Sequence, residues 1–136
     1  MTVDHPLARL ETLALIAIGG FAGANLRFFA LGLLSEVQAV VVVNALGSLA
    51  LGFVVYEAEY ADLIGRRSRI VFTTGFLSSL TTYSTFALQT ALAADPLLFV
   101  AVVAGNYGLG FVGVLAGREL ARRVGDGVGP VGGETA

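Results

Sequence analysis

Four long apolar stretches constrain this chain more than any other feature. A helix crosses the roughly 30 Å hydrocarbon core of a bilayer with about 20 mainly apolar residues. Four segments of that length occur, with approximate bounds 12–34, 37–56, 70–94 and 97–117. The valine run 40–43 does not alternate apolar and polar residues as a barrel strand would, so these segments are predicted to be helices.

The composition agrees with a membrane-embedded chain. Hydrophobic residues make up 56% of the 136 residues and charged residues 13%, whereas soluble domains carry about 25% charged residues. A soluble domain this small buries only about two-thirds of the surface that its unfolded chain exposes. We therefore exclude a soluble enzyme, a disordered chain and a coiled coil.

Several kinds of site are also excluded or disfavoured. The sequence has no cysteine, which rules out disulfides and thiolate metal sites. Its one histidine, His5, lies in a polar N-terminal tip, so histidine catalysis and zinc binding are not expected. The net charge of −2 gives no basis for a nucleic-acid partner.

The predicted organisation is a single four-helix membrane domain over 1–124, followed by a flexible, glycine-rich tail over 125–136. Two very short connections imply tight antiparallel hairpins, and a longer charged connection runs over 57–68. The positive-inside rule then places both termini in the cytoplasm of a multi-pass cell-membrane protein, because one side of the predicted topology carries seven arginines and the other side none. These arginines are Arg9, Arg66, Arg67, Arg69, Arg118, Arg122 and Arg123.

The polar residues inside the predicted spans are hydrogen-bond donors without carboxylates. The third span is especially rich in hydroxyl groups over 78–85. Serine and threonine can break a helix at a buried or cavity-lining position, but they can equally bond to carbonyls of an intact helix, and both interpretations stay open. Donors without a deep carboxylate suit an anion and argue against a proton-coupled antiporter.

Individual residues keep alternative interpretations. Arg27 either extends to the far interface or gives a vestibule a positive potential. Asn44 could be no more than a hydrogen bond between helices. Tyr83 and Phe86 could be ordinary packing residues.

Three motifs together resemble one family. They are GGFAGANLRF over 19–28, VNALGS over 43–48 and GFLSSLTTYSTF over 75–86. In this order and spacing they resemble the CrcB/Fluc family of fluoride channels. The resemblance implies an all-α integral membrane fold with four transmembrane helices, a break in the third, and an antiparallel dimer of four-helix subunits. It also implies passive fluoride export.

The resemblance further implies roles for particular residues. Backbone carbonyls of Ser78 and Thr81 would hold a structural sodium ion at the dimer interface, and Arg27 would lie in a vestibule. The expected fluoride-pore residues are Asn44, Tyr83, Ser84, Thr85, Phe86 and Asn106. A neutral donor set of this kind can replace the water around a small anion, assisted by the positive edges of aromatic rings.

Two features depart from the family pattern. Tyr83 replaces the usual phenylalanine, and Ser78-Ser79 replace a usual glycine pair. The one-sided arginines fix a single orientation, so we predict an oppositely oriented, related subunit as the partner in an antiparallel heterodimer. The alternatives to a channel subunit are a small four-helix multidrug or cation antiporter subunit and a non-conducting partner subunit.

Overall fold

The computed structural model describes residues 6–128, and all regular secondary structure in that range is helical. The elements are α1 (Pro6–Leu33), α2 (Glu36–Tyr60), α3 (Arg66–Ile70), a π-helix (Val71–Leu77), α4 (Ser78–Leu80), α5 (Tyr83–Leu92) and α6 (Pro96–Val128). Three of these helices, α1, α2 and α6, are long and apolar enough to cross a membrane. His5 and residues 129–136 of the predicted tail lie outside the described residues.

Most helix ends lie beyond the predicted apolar spans, but α1 ends at Leu33 and α5 at Leu92, one and two residues before the predicted ends. The middle connection is therefore shorter than the predicted 57–68, since α2 continues to Tyr60 and α3 begins at Arg66. Similarly, α6 continues to Val128, so the first residues of the predicted tail are helical. The physical reason is that backbone hydrogen bonding continues through polar residues at the membrane surface, whereas the hydropathy signal stops there.

The chain from Arg66 to Leu92 is not one regular helix. A seven-residue π-helix follows α3, and extended backbone at Thr81 and Thr82 separates α4 from α5. The predicted interruption of the third apolar segment thus occurs in its hydroxyl-rich part. The π-helix and the two extended residues make this segment the most irregular part of the fold. π-helical geometry is rare and is often found at functional sites.

Glycines allow the helices to approach closely. The most extensive helix packing joins α2 to α6, and α1 packs mainly on the π-helix. A Cβ atom at Gly75 would lie 2.6 Å from the Ile16 carbonyl oxygen, so only glycine permits this contact between α1 and the π-helix. Small residues at helix contacts are the usual means of bringing membrane helices together.

Polar contacts gather several element ends at one end of the bundle. Arg67 forms an ion pair of 2.9 Å with Glu11, which joins α3 to the start of α1. Arg118 on α6 donates to the Tyr60 hydroxyl at the end of α2, over 3.3 Å. The arginine-rich segments of the sequence therefore share one end, as the predicted topology requires.

Candidate functional site at the helix break

Asn44 on α2 holds the break between α4 and α5. Its side-chain Oδ1 accepts from the Thr82 N–H over 2.8 Å, and its Nδ2 donates to the Thr82 carbonyl over 3.1 Å. Nδ2 also donates to Asn106 Oδ1 on α6, over 2.9 Å. One amide thus supplies both partners that Thr82 loses by leaving the helix, and it links three elements.

Thr82 also begins α5. Its hydroxyl accepts from the Thr85 N–H over 3.2 Å, which is the usual N-cap arrangement. The same hydroxyl lies 3.3 Å from the Ser84 hydroxyl and 3.0 Å from that of Thr85. The break therefore carries a connected group of hydroxyls with little of Thr82 exposed.

One groove opens on the side of the break that faces α6. It has a volume of about 440 Å³, and its lining includes six of the predicted residues. Five of these come from the interrupted segment or α6, and one comes from α2. They are Asn44, Ser78, Thr81, Tyr83, Phe86 and Asn106.

A smaller groove of about 210 Å³ opens near α1. It brings together Arg27, Ser84 and Thr85, and Thr82 lines both grooves. The structure therefore separates Ser84 and Thr85 from the groove that contains Asn44 and Phe86. Among the described residues that line the two grooves, Arg27 is the one charged side chain.

Arg27 points to the break rather than to the far membrane interface. Its guanidinium donates to the Thr81 carbonyl over 3.4 Å. This long contact brings positive charge to the backbone where α4 ends, at a carbonyl oxygen without its helical partner. The Arg27 side chain therefore lies at the smaller groove, next to the break.

Three aromatic rings surround the larger groove. Phe86 is buried against Val40 and Val102, and its ring meets that of Tyr107 at 89° with centroids 5.6 Å apart. The Tyr83 ring is tilted by 56° to Phe86 at 5.9 Å and is 75% exposed. Edge-to-face geometry turns the positive edge of one ring towards its neighbour, and an anion prefers the same edge.

The carbonyls predicted to bind sodium are in unequal environments. The Thr82 N–H donates to Asn44, so it does not reach the Ser78 carbonyl as it would in an unbroken helix. The Thr81 carbonyl instead accepts from the Arg27 guanidinium. The Thr81 carbonyl therefore faces a positive charge, whereas the Ser78 carbonyl has lost the donor that an unbroken helix would give it.

Thr82 and Tyr107 were not among the site residues predicted from the sequence. Thr82 makes five of the hydrogen bonds at the break, and Tyr107 completes the aromatic wall. The sequence could have indicated Thr82, since threonine is a preferred N-cap residue for a helix that restarts after a break. Tyr107 carries no such signal, because its role depends on how α6 faces α5.

A buried carboxylate lies away from both grooves. Glu57 is 1% exposed, although its position in the sequence predicted the start of a charged connection. Its Oε1 accepts from the backbone N–H groups of Leu63 and Ile64 at 2.5 and 3.0 Å, and its Oε2 pairs with Arg69 at 3.4 Å. These partners explain why the Glu57 carboxylate is buried. They also tie the end of α2 to the residues that connect it to α3.

The helices and the interrupted polar segment define a class of protein: a small, multi-pass helical membrane protein with a donor-rich helix break. A family model described as "CrcB-like protein, Camphor Resistance (CrcB)" matches residues 14–118. The chain belongs to this family.

Curated relatives resemble the chain over most of its length. A protein of Haloarcula marismortui named "Fluoride-specific ion channel FluC 1" is 47% identical over 90% of this chain and 94% of its own length. One of Natronomonas pharaonis with the same name is 46% identical over 82% and 95%. A protein of Halobacterium salinarum named "Fluoride-specific ion channel FluC 2" is 46% identical over 79% and 84%.

Proposed function

We propose that this chain is a subunit of a fluoride-selective ion channel that lowers cytoplasmic fluoride by passive export across the cell membrane. The observation that carries the proposal is the 47% identity, over nearly the whole of both chains, to a relative named as a fluoride-specific channel. The neutral donors and single guanidinium at the break support it, because they suit a small anion and offer no carboxylate to bind a cation.

The two grooves suggest how the anion is held. Ser84 and Thr85 hydroxyls, with Arg27 beside them, attract fluoride on one side of the break. On the other side, Asn106 Nδ2 donates one hydrogen to the Val102 carbonyl over 2.9 Å and has a second hydrogen for the anion. Several weak contacts of this kind replace water without trapping the ion, as conduction requires.

Asn44 contributes differently in this proposal. Both of its Nδ2 hydrogens have protein acceptors, so it donates to fluoride only by releasing Thr82 or Asn106. Its first role is to keep the break in place, and its second is to exchange one of these bonds as the ion passes. Tyr83 and Phe86 supply ring edges next to it.

The proposed assembly is an antiparallel dimer of four-helix subunits, with the third span formed by Arg66–Leu92 across its break. The arginines at one end of the bundle, with both termini there in the cytoplasm, support an oppositely oriented, related partner. The numbered names FluC 1 and FluC 2 among the relatives agree with pairs of related channel proteins.

Sodium is proposed only for the assembled dimer. Bound there, it would join the subunits through neutral backbone oxygens, as unwound membrane helices do elsewhere. The Ser78 carbonyl is the available oxygen in this chain, and Thr81 contributes only if Arg27 turns away. The remaining oxygens would come from the second subunit.

Ion flux from liposomes tests the function. The chain is reconstituted alone and together with an oppositely oriented relative, and fluoride and chloride efflux are measured separately. We expect fluoride efflux well above chloride efflux in the co-reconstituted vesicles and little flux from the chain alone. Equal passage of both ions, or of neither, would refute the channel, whereas strong fluoride flux from the single chain would refute only the required partner.

A further inference from the structure

A groove between α1 and the π-helix lies outside the proposed ion site. Its volume is about 570 Å³, within the range of small-molecule sites. The wall is apolar and is formed by Leu15, Gly19, Val71, Phe72 and Phe76. Phe72 and Phe76 stack with centroids 5.3 Å apart, which gives the groove a flat aromatic side.

The groove is polar only at one end. Arg67 and Ser68 line it there, at the end of the bundle where Glu11 pairs with Arg67. Gly19 lies about 12 Å further along the α1 axis than Glu11, so the groove descends from the membrane surface into the apolar region. A second apolar groove, of about 470 Å³, meets Ser68 and Phe72 from the α2 side.

The charges at this mouth favour an anion. Arg67 lines the mouth and keeps 45% of its side chain exposed despite its ion pair with Glu11. Arg66, the preceding residue of α3, does not line the groove but is exposed and forms no ion pair with any described residue. Counted together, Arg66, Arg67 and Glu11 leave one net positive charge at the start of α3, next to the mouth of the groove. Arginine suits phosphate because its planar fork donates two parallel hydrogen bonds, and the Ser68 hydroxyl adds another donor.

We infer that this groove is a binding site for an anionic phospholipid. The phosphate lies at Arg67 and Ser68, with the positive charge of Arg66 next to them in the chain, and one acyl chain runs between α1 and the π-helix along Phe72 and Phe76. The occupant must be both anionic and apolar, since the mouth is cationic and the deeper wall is apolar. Bound lipid would then support the π-helix directly above the break.

Tryptophan fluorescence tests the site, because the sequence has no tryptophan of its own. Phe72→Trp places a single reporter in the groove, and Phe111→Trp on α6, at a side chain 70% exposed, reports on ordinary lipid contact. The full chain is reconstituted with brominated phosphatidylglycerol or brominated phosphatidylcholine at equal mole fractions. Bromine quenches the reporter only when its acyl chain is adjacent.

We expect the Phe72→Trp reporter to be quenched with about a fivefold preference for the anionic lipid, from one net charge at the mouth. The Phe111→Trp reporter should show no preference. Adding Arg66→Gln and Arg67→Gln should remove the preference, and adding Arg66→Lys and Arg67→Lys should retain part of it. Glu11→Gln should increase it, because the mouth then gains a further net positive charge.

Two results would overturn the inference. The first is equal quenching by both lipids at Phe72→Trp, which would make the groove ordinary membrane-facing surface. The second is no quenching by either lipid, which would mean that a second copy or another protein covers the groove. Inorganic phosphate, added alone at the same concentration, should not compete, since it lacks the acyl chain that the apolar wall requires.

Discussion

The α2–α6 pair and the interrupted segment from Arg66 to Leu92 belong to the same small bundle but satisfy their backbone differently. The long helices bond internally and meet through glycines, such as Gly117 against the Leu49 carbonyl. The interrupted segment leaves its helix at Thr82, and the Asn44 side chain supplies the missing partners. A helix break within a membrane is tolerated where it is buried in protein or lines a cavity, and here a single amide from α2 supplies partners for the freed backbone groups.

The largest expected effect comes from removing that amide. Asn44→Ala deletes three hydrogen bonds and leaves Thr82 backbone groups buried without partners, so we expect fluoride efflux to fall at least about tenfold, with about 1–3 kcal/mol lost in stability. Liposome efflux and unfolding in denaturing detergent measure the two effects.

Asn25→Ala is the matched control, because the Asn25 amide bonds only to the Phe21 carbonyl of its own helix and is exposed. It should leave both quantities nearly unchanged. If Asn44→Ala retained full fluoride efflux, conduction would not depend on the hydrogen bonds between Asn44 and Thr82. Unchanged fluoride resistance in cells would instead favour the non-conducting subunit.

The packing of α2 against α6 should be sensitive to side-chain volume added at their contact. Gly117→Ala places a Cβ atom against the Leu49 carbonyl and 2.6 Å from the Phe53 amide nitrogen, so we expect a loss of about 1–3 kcal/mol in unfolding free energy. Gly32→Ala is the control, since nothing lies within 4 Å of the Cβ atom that this substitution would add. A similar effect from both substitutions would mean that close approach does not hold α2 to α6.

The aromatic side of the break gives a smaller effect. Tyr83→Ala removes a ring contact with Phe86 worth about 0.5–1.5 kcal/mol, so fluoride efflux should fall by at most about tenfold. Tyr83→Phe keeps the ring and should change efflux much less. A large loss with Tyr83→Phe would show that the hydroxyl, rather than the ring, takes part in conduction.

The smallest effect concerns the extension of α6 beyond its apolar part. Hydrogen bonds from Arg122 and then Arg123 lower the pKa of Glu119 from 4.5 to about 2. A carboxyl with a lowered pKa stabilises the folded state above pH 4.5, and this contribution is lost as the pH falls towards 2. Carboxyl NMR should find this low midpoint, and Arg122→Gln with Arg123→Gln should raise it without changing fluoride efflux.

Much of the fold follows from local sequence properties. Apolar length predicted the regions of α1, α2 and α6, and the one-sided arginines predicted which segments share an end. The hydroxyl-rich run predicted where an interruption would fall, but not whether it would occur, because serine and threonine also fit an intact helix. Most helices were predicted too short, most clearly at the start of α1 and the ends of α2 and α6, since hydropathy falls before hydrogen bonding stops.

Distances between separate helices could not be inferred from the sequence. The sequence pointed to Asn44 and Arg27, because a polar or charged side chain is energetically costly in an apolar span. It left open whether either side chain reached the helix break. Nor did it indicate that Ser84 and Thr85 face Arg27 while Asn106 faces Asn44, or that Glu57 is buried. Each of these depends on how helices rotate and pack against one another.

The order of residues alone is enough to specify a helical membrane chain with one polar, break-prone segment, because the hydrophobic effect and local backbone chemistry act along neighbouring residues. Packing of the bundle was needed to establish that Asn44 completes the backbone of Thr82 and that Arg27 meets the Thr81 carbonyl. The reason is that a hydrogen bond depends on a separation of about 3 Å, and only the packed bundle sets that separation for residues far apart in the chain.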